Sequence, residues 1–297
     1  MTYPHMVQQV LAKVMAKILT KVLAKVLTLG LIAVLASPWA FAQNYPNKAI
    51  KFIVPFPAGS ATDNVGRILA QAMGEALGQS ITIENKAGAN GILGAEAVKA
   101  SPADGYTFLV TTSTTQAANV HLYRKLSYDP VKDFTPIGKV GETGFILMVT
   151  SDFPAKDMKE FIAYAKAHPG KLAYGHGSSG SLVSAAMLCE LAGLQAVGVP
   201  YKGIPPAMTD LLGGQLQFAF ADVGNAVSQM NGGRMRGLGV TTRKRAGKAP
   251  TVPAIGDTVK DYNVSAWFGL MAPAGLPADV HKKLTATFMA VMAKPEV

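Results

Sequence analysis

The chain has 297 residues, which allows about two domains and a substantial hydrophobic core. Hydrophobic residues make up 49% of the sequence and charged residues only 15%, so a membrane-spanning segment has to be considered first. The single cysteine excludes an internal disulfide, and the formal net charge is +10. A positive excess favours encounter with anions or serves solubility alone.

The N-terminal segment predicts export. The apolar run at 26–36 carries no charge, but it is shorter than the roughly 20 residues of a spanning helix. It suits the roughly 7–15 residues of a signal-peptide core, lysines precede it, and the small-residue motif Ala40-Phe41-Ala42 follows it. We therefore predict that 1–42 is a signal peptide, cleaved after Ala42, and that the remaining protein reaches the periplasm. A basic amphipathic anchor helix is the alternative, because the lysines recur at helical spacing.

Further along the chain, short apolar runs alternate with segments of helical spacing, and this alternation runs twice. Such a rhythm is typical of α/β units with a largely parallel sheet. The first round predicts strands at 49–55, 81–83, 106–111 and 145–150, with helices at 63–77, 95–100 and 155–167. The second round predicts strands at 172–174, 196–200, 216–221, 238–241 and 267–272, with helices at 181–194, 205–212 and 277–292.

Two loops have the same construction. The first loop, PFPAGSATD (55–63), and the second loop, GHGSSGS (175–181), each follow a buried strand, carry glycines and hydroxyl residues, and open a helix. Free N–H groups and the helix dipole make such helix starts favourable for anions. Because ligands of open α/β sheets bind beyond the strand ends, we predict that both loops line one cleft. Ordinary capping by Ser60, Thr62, Ser178 and Ser181 is the alternative.

The second loop leaves two enzymatic alternatives open. Its GHGSSG segment matches the dinucleotide pattern, but Lys202 stands near the place of the expected acid, so only an NADP-binding oxidoreductase would fit. A periplasmic serine hydrolase would use Ser178 or Ser179 with His176 as the base, although the G-x-S-x-G spacing is missing. The histidines lack metal-ligand spacing, and we interpret the basic run at 243–248 as a solvated turn. We therefore expect no metal, no cofactor and no nucleic-acid partner.

Five segments, in order, resemble one known family. They are PFPAGSATD (55–63), ENKAGANGILGAEAV (84–98), DGYTFL (104–109), VPYKGIPPAMTDLLGGQ (199–215) and SAWFGLMAPAGLP (265–277). On these segments the chain resembles the Bug, or TctC-like, receptors of tripartite tricarboxylate transporters over nearly its whole exported length. It departs from the family pattern at Ser60 and Asn90, where glycine is usual, and at Ala87, where proline is usual. A serine at position 60 costs about 1 kcal/mol if its φ is positive.

The resemblance implies a type II periplasmic-binding-protein fold, in which two α/β lobes are joined by two crossing strands. Lobe 1 is then 43–144 plus 267–297, and lobe 2 is 145–266. The implied function is that of a solute-binding protein without catalysis, which captures a small organic carboxylate between the lobes and delivers it to membrane transporter subunits. We expect such a receptor to be a monomer.

The resemblance also implies which residues bind the ligand. Asp63 and Asp222 are unexpected beside an anion, so each either accepts a hydrogen bond from a ligand amine or hydroxyl or braces its loop. Carried over position by position, the ligand-binding residues are Phe56, Ala58, Gly59, Ser60, Asp63, Ser178, Ser179, Gly180, Ser181, Tyr201 and Asp222.

Overall fold

The computed structural model describes residues 15, 17 and 45–295. The predicted signal peptide, 1–42, lies outside the described residues apart from positions 15 and 17, so it stays a prediction. The described strands, in chain order, are β1 (Ile50–Val54), β2 (Ile81–Asn85), β3 (Thr107–Thr112), β4 (Phe134–Thr143), β5 (Phe145–Thr150), β6 (Leu172–His176), β7 (Ala196–Pro200), β8 (Phe218–Asp222), β9 (Met235–Val240) and β10 (Ala266–Pro273).

The helices between these strands follow the expected α/β alternation. In chain order the α-helices are α1 (Ala61–Leu77), α2 (Ile92–Lys99), α3 (Asn119–Leu122), α4 (Met158–Ala167), α5 (Ser179–Ala192), α6 (Ile204–Leu212), α7 (Val223–Asn231) and α8 (Ala278–Met292). A π-helical turn spans Thr114–Ala118, and short 3₁₀ turns span Ala89–Gly91 and Ile255–Asp257. Within the described part of the chain, none of the helices combines the length and the apolarity that crossing a membrane requires.

The strands form two five-stranded sheets with the same plan. Their orders are β2-β1-β3-β10-β4 and β7-β6-β8-β5-β9. In each sheet the first three strands are parallel, and the fourth, β10 or β5, runs antiparallel to both of its neighbours. The chain therefore crosses between the sheets at Gly144 and again between β9 and β10. This arrangement of two α/β lobes confirms the predicted fold class.

Each sheet is covered by helices on both faces, which explains why its central strands are apolar throughout. In β5, Phe145, Leu147 and Val149 face one buried cluster, while Ile146 and Met148 face another. Burial of each such side chain contributes roughly 1.5–3 kcal/mol. The central strands therefore hold the loops at their carboxyl ends in fixed positions.

The predicted elements are confirmed except in four places. Sequence analysis missed β4, whose pairing with β10 is interrupted by two register shifts that break any regular alternation. It also missed the helical segment at 114–122, whose threonines have low helix propensity, and it missed α7. Finally, α2 begins at Ile92, three residues before the predicted start at 95, and follows directly on the 3₁₀ turn that ends at Gly91.

Candidate ligand-binding site

The first and second loops meet at one cavity between the two sheets. The cavity has a volume of about 30 Å³, which is below the roughly 300–1,000 Å³ of small-molecule sites. Four of the predicted ligand-binding residues line it, namely Phe56, Ser60, Ser178 and Asp222. Ala61, Thr62 and Gly177 also line it and belong to the two predicted loops. The sequence pattern did not indicate the other lining residues, which are Thr112, Ser113, Thr114, Phe145, Ile204, Ala266 and Phe268.

The first loop leads into α1 at Ser60, the N-cap of that helix. The Ser60 hydroxyl accepts a hydrogen bond from the Asp63 amide at 3.2 Å. Ser60 has a φ of −68°, so the strain considered for serine at this position does not arise. The positive φ, +77°, falls instead on Gly59, where a residue without Cβ adopts it freely.

Asp63 braces the first loop and does not line the cavity. Its carboxylate accepts hydrogen bonds from the Gly59 amide at 2.9 Å, from Asn85 Nδ2 at 2.8 Å and from two nitrogens of Arg67 at 2.9 and 3.1 Å. Asn85 also donates to the carbonyl of Phe56. Burial raises the pKa of Asp63, but these hydrogen bonds outweigh it and hold the pKa below its usual value. All the acceptor positions of this carboxylate are therefore used within the protein.

The second loop ends at Ser178, the N-cap of α5, and uses serine where the first loop uses aspartate. The Ser178 hydroxyl accepts from the Ser181 amide at 3.2 Å. The Ser181 hydroxyl accepts in return from the amides of Gly177 and Ser178, both at 3.1 Å. Ser181 is thus buried in a reciprocal capping box, and Ser178 is the member of the pair that lines the cavity.

The glycines of the second loop permit close packing. A Cβ at Gly177 would lie 2.1 Å from the carbonyl carbon of Gly203, and one at Gly180 would lie 2.3 Å from the ring of Phe145. A Cβ at Gly203 would in turn lie 2.5 Å from Cδ of Pro57 in the first loop. Contacts inside the protein therefore account for the glycine spacing of the GHGSSG segment, which matched the dinucleotide pattern. Gly203 lies between the second loop and Pro57 of the first loop and is packed closely against both.

A polar contact joins the two lobes beside the cavity. Asn90 and Asn119 belong to the first lobe and Ser179 to the second, and we call these three residues the inter-lobe contact. Asn90 Nδ2 donates to the Ser179 hydroxyl at 2.5 Å, and that hydroxyl donates to Asn119 Oδ1 at 3.2 Å. Asn90 has a φ of +55°, a conformation that asparagine tolerates better than most residues. Ser179 therefore contributes to lobe contact rather than to the cavity lining.

Threonine hydroxyls from the start of α1 and from the segment after β3 complete the cavity. Thr62 and Thr114 are 5% and 3% exposed and line the cavity. Neither side-chain oxygen has a hydrogen-bond partner among residues 45–295, so both remain available to a ligand. By contrast, the Thr115 hydroxyl donates to the Thr112 carbonyl at 3.1 Å and accepts from the Thr112 amide. One threonine of this segment thus faces the cavity while its neighbour holds the turn.

Asp222 lies at the end of β8, directly before α7. It is the ionisable member of the cavity lining, opposite Phe145 in the β5–β8 register. Its side chain does not cap α7, and within the described chain it makes no ion pair and no hydrogen bond to another residue. Burial raises the pKa of Asp222 to about 6.

The remaining predicted residues lie outside the cavity. Ala58 is exposed at the tip of the first loop. Tyr201 lines a neighbouring groove, where its hydroxyl donates to Asp210 at 2.6 Å, and this bond raises the pKa of Tyr201 to about 12. His176 lines the same groove, and burial lowers its pKa. No hydrogen bond in the described part of the chain joins His176 to Ser178, so the serine–histidine contact of a hydrolase is not formed.

Comparison with known proteins gives a consistent set of relatives. The family model described as the tripartite tricarboxylate transporter family receptor, TctC, matches residues 65–297. Protein BugT of Bordetella pertussis is 33% identical over 249 residues, which cover 82% of this chain and 76% of BugT.

Two solved structures closely match the fold. An R. palustris protein with adipate superposes with a TM-score of 0.82 at 32% identity, and the match covers 85% of each chain. MatC from Rhodopseudomonas palustris with bound malate superposes with a TM-score of 0.79 at 34% identity, covering 85% of this chain and 87% of MatC. The family match over most of the chain and the shared two-lobed fold confirm the resemblance seen in the sequence. The chain belongs to the TctC family of tripartite tricarboxylate transporter receptors.

Proposed function

We propose that this chain is a periplasmic solute-binding protein that captures a small organic carboxylate between its lobes and delivers it to the membrane subunits of a tripartite tricarboxylate-type transporter. The observation that carries the proposal is the meeting of two serine-capped helix starts, α1 from one lobe and α5 from the other, at one cavity. The two relatives solved with adipate and malate support a carboxylate as the ligand.

An anion can bind here without a cationic side chain. The cavity lining contains no lysine, arginine or histidine, but it contains hydroxyls and the starts of two helices. A helix N-terminus stabilises a nearby anion by about 0.3–1 kcal/mol, and by up to about 2 kcal/mol when the site is partly buried. Hydroxyl donors to a charged group add roughly 1.5–3 kcal/mol each. These terms are large enough to hold a carboxylate and small enough to permit its release.

The two crossings between the sheets would act as the hinge for lobes at 43–144 plus 267–297 and at 145–266. They are bonded to each other, because the Thr241 hydroxyl accepts from the Phe145 amide at 2.9 Å and donates to the Val264 carbonyl at 2.7 Å. A Cβ at Gly144 would lie 2.9 Å from the Thr242 methyl group. A tightly connected hinge of this kind suits rotation of whole lobes, and closure around the ligand would signal loading to the transporter.

The proposal includes export by cleavage after Ala42, a monomeric receptor and no catalysis. The serine hydrolase is the weaker alternative, because Ser178 is bonded to Ser181, and Ser179 is bonded to Asn90 and Asn119. An NADP-binding oxidoreductase has less support, since Lys202 is exposed and lines the groove beside the cavity. Both alternatives predict turnover or nucleotide binding, which a receptor would lack.

Thermal unfolding of the purified protein with a panel of mono-, di- and tricarboxylates tests the proposal. A ligand at 100-fold over its Kd stabilises the folded state by about 2.7 kcal/mol. For a chain of this size, each 1 kcal/mol raises the Tm by roughly 2–4 °C. We expect one chemical class of carboxylate to raise the Tm by several degrees. If none of the panel shifts the Tm of a folded sample, the proposal is wrong.

A pair of threonine variants tests where the carboxylate binds. Thr114→Val removes a cavity-facing hydroxyl without breaking a hydrogen bond in the protein, so we expect about tenfold weaker binding and little change in stability. Thr115→Val removes the hydroxyl that bonds to Thr112, so we expect a loss of stability of about 1–3 kcal/mol. Calorimetric titration and urea unfolding of both variants separate the two effects. Unchanged affinity in Thr114→Val would place the ligand elsewhere.

A further inference from the structure

The cavity presents two unlike chemical environments to its ligand. Neutral donors dominate the parts formed by the first loop, the second loop and the end of β3, where Ser60, Thr62, Thr114 and Ser178 contribute hydroxyls. Asp222 supplies the negative charge of the lining. A ligand carboxylate is attracted to the hydroxyls and helix starts and is repelled by an ionised Asp222. The site therefore favours a ligand that places its carboxylate and a different group at these two positions.

No other residue in the described part of the chain donates a hydrogen bond to the Asp222 carboxylate. Its side chain leaves α7 uncapped, and the residue opposite it in the β5–β8 register is Phe145, which offers no donor side chain. Asp63 shows the opposite case, because Arg67, Asn85 and the Gly59 amide surround its carboxylate. Partial burial of a carboxylate without a hydrogen-bond partner costs solvation free energy. A hydrogen bond donated by the ligand to Asp222 would offset this cost and strengthen binding.

We infer that the ligand carries a hydrogen-bond donor, an amino or hydroxyl group, in addition to its carboxylate, and that Asp222 accepts a hydrogen bond from it. The inference rests on the proposed function and narrows the ligand class to amino acids and hydroxy acids. A plain aliphatic carboxylate leaves Asp222 unpaired, and a plain dicarboxylate places a second negative charge beside it. Asp222 is thus the residue that selects among carboxylates.

The ionisation of Asp222 predicts the direction in which ligand affinity changes with pH. Burial raises its pKa to about 6, so the group is largely ionised at pH 7 and accepts hydrogen bonds. Binding of a donor-bearing ligand should therefore strengthen as the pH rises through about 6. Glu142 and Lys248 line the adjoining cleft with Asp222, and His176 lines the groove on the other side of Ser178. Because these groups also carry or change charge, the pH profile has to be compared with that of a variant.

Titration calorimetry with matched series of acids tests the inference. Each series keeps the carbon skeleton and changes one substituent: propionate, lactate and alanine; succinate, malate and aspartate; glutarate, 2-hydroxyglutarate and glutamate. In the best-binding series we expect the amino or hydroxy member to bind at least about tenfold more tightly than the unsubstituted acid. Asp222→Asn should reduce this preference severalfold and remove the rise in affinity through pH 6. The control Asp152→Asn removes the same charge from an exposed turn and should keep both properties.

The outcomes separate this inference from the proposed function. If the unsubstituted acid binds as tightly as its amino and hydroxy relatives, or if binding strengthens on acidification through pH 6, the inference is overturned while carboxylate binding stands. If Asp152→Asn alters the preference as much as Asp222→Asn does, the selectivity is a general charge effect and the inference is also overturned. If no acid of any series binds to the folded protein, the proposed function itself fails.

Discussion

The first loop and the second loop both pass from a buried parallel strand into the start of a helix, and each places a serine at the helix cap. They differ in the residue three positions later, which is Asp63 in the first loop and Ser181 in the second. Each of these side chains accepts a hydrogen bond from the amide of the residue before the cap, Gly59 or Gly177. The same backbone geometry is thus held by a charged group in one lobe and by a neutral group in the other.

The charged and the neutral side chain place different demands on their surroundings. A buried carboxylate needs partners, and Asp63 recruits Arg67 from its own helix and Asn85 from the end of β2. The first loop is thereby tied to the neighbouring strand. The second loop needs no counter-charge, but its packing is tight, because Gly177 touches the backbone of Gly203. Hydrogen bonds therefore hold both loops, and tight steric fit is an additional constraint on the second.

A substitution that disturbs the steric fit of the second loop should cause the largest loss of stability. Gly177→Ala would place its Cβ 2.1 Å from the Gly203 carbonyl carbon, and backbone cannot move aside as a side chain can. We expect a loss of about 3 kcal/mol or more in the free energy of unfolding, measured by urea denaturation. The matched control is Gly59→Ala. Its added Cβ would meet no described atom within 4 Å outside its chain neighbours, so we expect only the cost of its φ of +77°, about 1–2 kcal/mol. Equal losses in the two variants would contradict the contrast between the loops.

Replacing the Asp63 carboxylate, which braces the first loop, should cause the next largest loss of stability. Asp63→Asn weakens the acceptance from Gly59 and Arg67, and we expect it to cost about 2 kcal/mol. The ion pair itself adds less than about 1 kcal/mol of this, because the Arg67 side chain is 53% exposed. Ser181→Ala should cost a similar amount, because two amides lose their acceptor.

The pH dependence of stability separates these two variants. The pKa of Asp63 lies below its usual value of 3.8 in the folded state, so its contribution is present above about pH 4 and is lost as the pH falls further. Acid unfolding should therefore be less steep for Asp63→Asn than for the natural protein, and unchanged in steepness for Ser181→Ala. Parallel acid-unfolding curves for all three proteins would show that Asp63 carries no such linkage.

The inter-lobe contact should give the smallest effect on stability. Ser179→Ala removes a hydroxyl that bonds to Asn90 and Asn119 across the cleft, and we expect a change of about 1 kcal/mol or less in unfolding. Ligand affinity should fall about threefold to tenfold, because the contact favours the closed arrangement of the lobes. Ser101→Ala is the control, since its hydroxyl bonds only within the first lobe. Unchanged affinity would mean that the contact does not bias closure.

Much of the fold was predictable because its signals are local. Apolar runs gave most strands, and Ser60 and Ser178 marked two helix starts. The site was only partly predictable, because its remaining members are set by pairing across long sequence distances. Thr114 comes to the cavity through the pairing of β3 with β10, and its threonine-rich surroundings carry no glycine signal. The bracing role of Asp63 depends on Asn85, which lies on a different strand and leaves no mark in the loop itself.

A crystal structure with the tightest-binding acid of the panel tests the central claim most directly. We predict that one ligand carboxylate lies within about 3 Å of donors from both lobes, at Thr62 or Thr114 on one side and at Ser178 on the other. Such a position would show that the two capped helix starts act together on one anion. A carboxylate bound by one lobe alone, or bound outside this cavity, would contradict the account.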